Sequence, residues 1–445
     1  MTAEIGVLNK QAIALAADSA VTIRGAHGQK IYNHANKLFM LSKCNPIGIM
    51  IYGNAELTGV PWETIIKMYR ESSSDKCFDY LDDYCRDFLD FLEKDPFLFF
   101  VDTRQSDDFY GISYIYLKKT MNKIGRVIED FVEEMSDEEV TSGLKSEVVV
   151  SLVKQSLEFE LEVISNIPYL EGFSLDDVEQ LISRYDEILD KVIDSSWTKF
   201  PKDDEIVQLL KMMVGYYFNK DIFNDYSGVV FAGFGNKEIF PAMTAYIVES
   251  KVNGNLKLKI NPEKTKNLNN SSVTSSLVPF AQDDMVQTIA SGVDPDIDNF
   301  SFKLLKSSMS DLANKLAEEI QGRMDYEEED LNKLTNNLQE ITEELLESYM
   351  DQTFQYRREN HALPLVDTID IMPKEELAVI AETMVNLTSF KRKISSDSET
   401  VGGPVDVALI TKGDGFIWIK RKHYFDPNLN SHYFENKRGG NTYER

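Results

Sequence analysis

The chain has 445 residues with 74 acidic and 47 basic side chains, a formal charge of −27. Such a field repels phosphate backbones and anionic lipid surfaces, which sets aside nucleic acid and membranes as expected partners. Hydrophobic residues make up 42% and aromatics 11%, enough for a sizeable core and against wholesale disorder.

Three cysteines occur, Cys44, Cys77 and Cys85. A low, odd count without paired spacing points away from a secreted disulfide framework and towards a reducing cytosol, so a cytoplasmic protein is expected. Neither they nor the five scattered histidines form a metal-ligand spacing, so no metal and no cofactor is expected. No apolar run approaches the ~18 residues of a membrane helix. Residues 12–17 (AIALAA) behind Lys10 imitate the start of a signal peptide. The run is shorter than the ~7–15 residues of an h-region and Asp18 ends it, so it reads as a buried strand.

From the start, short apolar runs alternate with turn residues, the mark of strands. Residues 4–8 and 12–17 flank Asn9-Lys10-Gln11 and form an expected hairpin. Residues 37–41 and 47–52 form a second pair around Asn45-Pro46. From Glu56 the period turns helical. Residues 73–225 are acidic and helical in pattern, with a charge run at Glu133, Glu134, Asp137, Glu138 and Glu139 that reads as a solvated face. Strands return at 227–232, 239–248 and 256–260, a polar loop covers 267–276, and helices occupy 300–320 and 326–356. A helix opens at Pro373 (PKEELAVIAETMV), and strands at 405–411 and 415–420 close the chain around Lys412-Gly413-Asp414. The tail from Asn428 reads as mobile.

Sheet at both ends with helix between predicts an α+β domain whose terminal strands pair over long range. Core segments are expected at 2–72, 226–299 and 361–425. Helical insertions are expected at 73–225 and 300–360, with a flexible tail at 426–445.

The chemistry concentrates at the N-terminus. Thr2 and Ala3 come directly after the initiator, and a small second residue predicts that Met1 is removed. Thr2 would then carry a hydroxyl and a free α-amine, whose ordinary pKa of about 7.7–8.0 leaves part of it neutral near pH 7. One residue would supply nucleophile and general base together. Threonine at position 2 occurs by chance in about one chain in twenty, so the feature alone decides little.

The residues after Thr2 are more specific. TAEIGVLNKQAIALAADSAVT resembles the opening of proteasome β subunits and the HslV-type peptidases, which begin with threonine, form a hairpin and reach Ala-x-Asp-Ser at this separation. That motif is Ala16-Ala17-Asp18-Ser19 here. Asn36-Lys37-Leu38-Phe39 is similar to the family's lysine segment, and Tyr52-Gly53-Asn54-Ala55 to the turn whose glycine N–H serves as oxyanion donor. The closing helix, Gly402-Gly403 and the two last strands match the family's far end.

The resemblance implies an N-terminal-nucleophile hydrolase, a four-layer αββα sandwich with long helical insertions. It implies Thr2, Asp18 and Lys37 as catalytic residues, Gly53 as oxyanion donor and Ile51 in an apolar specificity pocket. Lys37 would disfavour protonation of the α-amine, and Asp18 would balance the lysine. Ser19 is a supporting residue. Phe280-Ala281-Gln282-Asp283 falls where the family opens its third helix. A further Asp-x-x-Ser group is expected before Gly402. An ungapped count gives its places to Ser398 and Val401, whereas a shift of one or three residues gives them to Asp397 and Thr400. The activity implied is that of a threonine peptidase acting on a peptide or protein, cytoplasmic and homo-oligomeric, with an ATPase or recognition protein as an optional partner. An amidase on a small non-peptide amide and a non-catalytic scaffold that keeps the fold are the alternatives.

Overall fold

The computed structural model describes residues 3–25, 28–73, 75–94, 102–133, 146–323, 328–395, 401–423 and 425–430. Its strands in chain order are β1 (Ala3–Asn9), β2 (Ala12–Ala17), β3 (Val21–Gly25), β4 (Gly28–Tyr32), β5 (Leu38–Met40), β6 (Ile47–Gly53), β7 (Glu56–Leu57), β8 (Val60–Pro61), β9 (Ser227–Gly233), β10 (Ala242–Val252), β11 (Asn255–Ile260), β12 (Lys266–Asn267), β13 (Ser275–Ala281), β14 (Asp406–Thr411) and β15 (Gly415–Lys420). The α-helices are α1 (Trp62–Ser72), α2 (Leu81–Lys94), α3 (Asp102–Glu133), α4 (Ser146–Ser165), α5 (Leu175–Arg184), α6 (Asp186–Ser196), α7 (Asp204–Asn219), α8 (Asp284–Ser291), α9 (Pro295–Arg323), α10 (Glu328–Arg357), α11 (Leu363–Ile371) and α12 (Lys374–Ile394). Among the described residues no helix is long and apolar enough to cross a membrane.

Two compact units share the chain. The first holds Met1–Leu38, Glu238–Ala242 and Lys266–Arg445, the second Phe39–Lys237 and Met243–Thr265.

In the first unit five strands form an antiparallel sheet in the order β13-β1-β2-β14-β15. The expected hairpin forms, with Ile5 opposite Ala16 and Leu8 opposite Ile13. Its turn is held by Asn9, whose side chain accepts from the Gln11 N–H at 2.9 Å. The same side chain donates to the carbonyls of Ile369 and Met372, tying the turn to the end of α11. Successive strand residues point to opposite faces. Ala3, Ile5 and Val7 of β1 and Ala12, Ala14 and Ala16 of β2 therefore form one core with Leu377, Ala381 and Val385 of α12. Alanine at every second position of β2 leaves room for the helix to approach. The sequence reads 267–276 as loop, yet Ser275 to Ala281 form β13, which pairs with β1 from Ala3↔Ala281 to Asn9↔Ser275.

In the second unit the strand order is β11-β10-β9-β6-β5. β6 runs antiparallel to β9, from Ile47↔Gly233 to Gly53↔Ser227. Helix does not begin at Glu56. Thr58 (φ 48°) and Gly59 (φ 72°) reverse the chain into the short β7–β8 ladder, and α1 starts at Trp62. The Phe88 ring of α2 packs edge-on against Phe231 of β9 at 5.4 Å. Helices α3 to α7 enclose a separate core around Phe109, Leu117, Leu157, Leu189, Leu210 and Tyr217. Beside that core Lys257 and Glu249 form a buried pair at 2.6 Å.

The cysteines depart from expectation. Cys44 and Cys77 form a disulfide across a Cα–Cα distance of 5.7 Å, and Cys85 lies outside it, buried in α2. With a separation of 33 residues in sequence, the bonded pair is brought together by the fold, which spacing cannot reveal.

Candidate functional site

Asp18 sits where β2 ends, and its carboxylate is the hub of the first unit. The side chain is fully buried, and Lys37 Nζ lies 2.5 Å from its Oδ1. The Ala3 N–H donates to the same oxygen at 3.1 Å. Oδ2 accepts from the N–H groups of Ala20 at 3.2 Å and Gly402 at 2.9 Å. Several donors on one carboxylate, one of them a cation, are what a charge removed from water requires. Lys37 is 6% exposed, so its ammonium depends on Asp18 in turn.

The Ala3 nitrogen belongs to the peptide group that joins Ala3 to Thr2. One buried carboxylate therefore fixes both the lysine and the link leading to the first residues of the chain. Thr2 itself lies outside the described residues.

Ser19 braces the hub. Its N–H donates to the Gly402 carbonyl at 3.1 Å, its carbonyl accepts from Ala35 at 3.0 Å, and its hydroxyl donates to the Pro404 carbonyl. Gly403 fits the crossing at φ +78°, where an added Cβ would come within 2.8 Å of the Asn33 Cβ. Glycine is required there by backbone and space together. The strap 402–404 thus runs against the end of β2 and carries one of the Asp18 donors. Gly402-Gly403, matched only as part of the family's far end, takes on a specific task.

The remaining sequence candidates fall elsewhere. Asp397, Ser398 and Thr400 lie outside the described residues; Val401 is buried in the first unit. β13 ends at Ala281, and α8 opens at Asp284, directly after the segment compared with a helix opening. Gln282 of that segment accepts from Arg392 Nε at 2.9 Å. Ile51 and Gly53 belong to the second unit, on β6. Ile51 is buried, while Gly53 ends the strand at φ +80°, its Cα facing the Tyr226 carbonyl so closely that a Cβ would sit 2.3 Å from that oxygen. Among the described residues no three His, Cys, Asp or Glu side chains converge as metal ligands.

One charged residue escaped the reading of the sequence. Glu4 lies on β1 on the face opposite Ala3 and Ile5 and is 2% exposed. Among the described residues neither of its carboxyl oxygens has a hydrogen-bond partner. Burial pushes its carboxyl well above the usual carboxylate range; the Lys37 cation opposes this and the Asp18 charge adds to it. The signal was present as a lone charge in the otherwise uncharged strand AEIGVLN.

Comparison with family models finds no match for the chain, and comparison with curated proteins finds none either.

Proposed function

We propose that the chain is a proteasome-like threonine peptidase in which Thr2, exposed by removal of Met1, is the nucleophile. The observation that carries the reading is the buried carboxylate of Asp18, which holds Lys37 Nζ and the Ala3 peptide N–H on one oxygen. A mere turn aspartate has no need of a buried lysine.

In the proposed reaction the neutral α-amine takes the hydroxyl proton as Thr2 Oγ bonds to the substrate carbonyl carbon. The same amine then returns the proton to the leaving nitrogen as the C–N bond breaks. Water cleaves the resulting ester by the reverse exchange. Lys37 keeps the α-amine neutral by disfavouring a second cation, and Asp18 keeps Lys37 in place. Gly53 as oxyanion donor and Ile51 as pocket residue enter the proposal through the resemblance, as do the cytoplasmic setting, the homo-oligomer and an ATPase or recognition partner.

Labelling with a β-lactone or a peptide epoxyketone, read by intact mass, tests the proposal. The expected result is a chain lacking Met1 with one adduct on Thr2, and no adduct on Thr2→Ala. An adduct that survives the substitution, or retention of Met1 on most molecules, overturns Thr2 as the nucleophile.

A further inference from the structure

In the first unit α9 and α10 pack against each other as an antiparallel pair. The pair is clamped at one end, where the Arg357 guanidinium donates to both carboxylate oxygens of Asp298 at 2.6 Å. On α10 Leu338, Thr342, Leu346, Thr353 and Arg357 are withdrawn from solvent, a helical repeat that marks the side turned to α9. Ile341, Leu345, Tyr349 and Tyr356 each fall one residue before or three after a member of that set, and all four are exposed. On α9 the withdrawn set includes Asp298, Leu305 and Met309, and the exposed Ile297, Leu304 and Leu312 stand in the same relation to it. Between antiparallel helices that relation puts both stripes on one side of the pair.

The joint face is about 23 Å long and ~20 Å wide. Two such faces pressed together bury about 900 Å², the size class of reversible association. A chain with a formal charge of −27 meets its own copy only through a surface poor in charge, and the seven side chains of the stripe carry none.

The rims say what covers it. Alongside Ile341, Leu345 and Tyr349 stand Glu340, Glu344 and Asp351, all acidic and exposed. Alongside Leu304 and Leu312 stand Lys303 and Lys315, with Asp311 between them. Counted from the Asp298–Arg357 clamp, Lys303 is level with Gln352, next to Asp351, and Lys315 is level with Glu340. A two-fold axis parallel to the helices lays α9 of one copy on α10 of the other at the same levels. Both lysines then meet acids, and only Asp311 meets a like charge, at Glu344. Laying α10 on α10 instead would set acid against acid along the whole rim.

We propose that this face of α9 and α10 is a self-association surface, on which two copies of the chain build a four-helix bundle around a shared apolar core. The surface depends neither on Thr2 nor on peptidase chemistry.

The test is sedimentation equilibrium of the full-length chain from micromolar to sub-millimolar concentration. The wild type should associate reversibly, and a chain that stays monomeric throughout overturns the proposal. Leu304→Glu with Leu345→Glu, both at exposed positions, should weaken association tenfold or more, since each copy then brings charge into the apolar core. Association unchanged by that pair overturns the proposal, because it places the contact elsewhere. Charge reversal tests the arrangement without touching the core. Lys315→Glu and Glu340→Lys should each weaken self-association, by about tenfold, and an equimolar mixture of the two variants should recover it. A mixture no stronger than its components overturns the α9-on-α10 pairing even if the leucine variant does not fold. The β-lactone readout is separate: association without an adduct keeps the surface and removes the peptidase, whereas an adduct on a monomer does the reverse.

Discussion

The Gly402 N–H donates to Asp18 Oδ2 at 2.9 Å across 384 residues of sequence. The same carboxylate is bonded to Lys37, so the charge of Asp18 is balanced from both ends of the chain. Removing one member of a buried pair strands the other, typically at about 3–5 kcal/mol. Asp18→Ala should lose that much in urea unfolding. Asp18→Ala combined with Lys37→Met should lose distinctly less than the two single losses added together. Strict additivity would mean the two side chains are not coupled.

Gly403 tests the strap. A non-glycine residue in the left-handed region costs about 1–2 kcal/mol before any clash is counted. The Cβ of alanine would also press on Asn33. Gly403→Ala should lower the melting temperature and reduce β-lactone labelling, whereas Gly413→Ala, in open space at the last hairpin, should do neither. Equal effects at the two glycines would contradict a specific role for the strap.

In the second unit Lys257 donates to Glu249 and to the Ile222 carbonyl and lies 3.7 Å from the centre of the Tyr217 ring. Burial lowers its pKa to about 8, with Glu249 opposing the shift. Lys257→Met leaves the glutamate buried without its cation and should cost about 3–5 kcal/mol by chemical denaturation. Adding Glu249→Gln removes the stranded charge while keeping an acceptor for the Tyr217 hydroxyl, and should recover part of the loss. No recovery would place the cost in packing instead.

Asp108 gives the second unit a pH dependence. Burial raises its pKa from 3.8 to about 6, against the hydrogen bond from Thr58. A group with a raised folded pKa binds its proton more tightly when folded. Its stabilising contribution is therefore full below pH 3.8 and is lost as pH rises through 6. Asp108→Asn should leave stability near pH 4 almost unchanged and raise it at pH 7 by up to about 3 kcal/mol. A stability difference that does not vary with pH would refute this assignment.

The Cys44–Cys77 disulfide closes a loop with a separation of 33 residues. On chain entropy alone, a loop of that size is worth about 4 kcal/mol. Reductant, or the Cys44→Ser/Cys77→Ser pair, should lower the urea midpoint of the second unit. An unchanged midpoint under both treatments would show that the cross-link does not constrain the unfolded chain in solution.

Alternation and turn residues were enough to place the β1–β2 hairpin and the β14–β15 pair, because each is a local unit with its turn between its strands. The Asp18–Lys37 contact was legible only through the resemblance, since lysine nineteen residues from an aspartate has no local meaning. β13 was hidden by its composition: serines lead into it and Pro279 interrupts it. Proline is tolerated there because β13 is, among the described residues, the edge strand of its sheet. Glu4 was hidden for the opposite reason, since the apolar residues around it made the strand plain and drew attention away from its one charge.

The sheet order β13-β1-β2-β14-β15 also fixes when the first unit can form. Strands from the first twenty residues must wait for partners that emerge only after residue 275 and after residue 405. Pairings so far apart fold slowly, because a long loop must close before any contact rewards it. On the ribosome the second unit's helices can assemble while β1 and β2 remain an open hairpin. The carboxylate of Asp18 acquires its last donor only when Gly402 has been synthesised. Biosynthetic timing would thus keep the proposed peptidase silent until β14 has been made and has paired with β2.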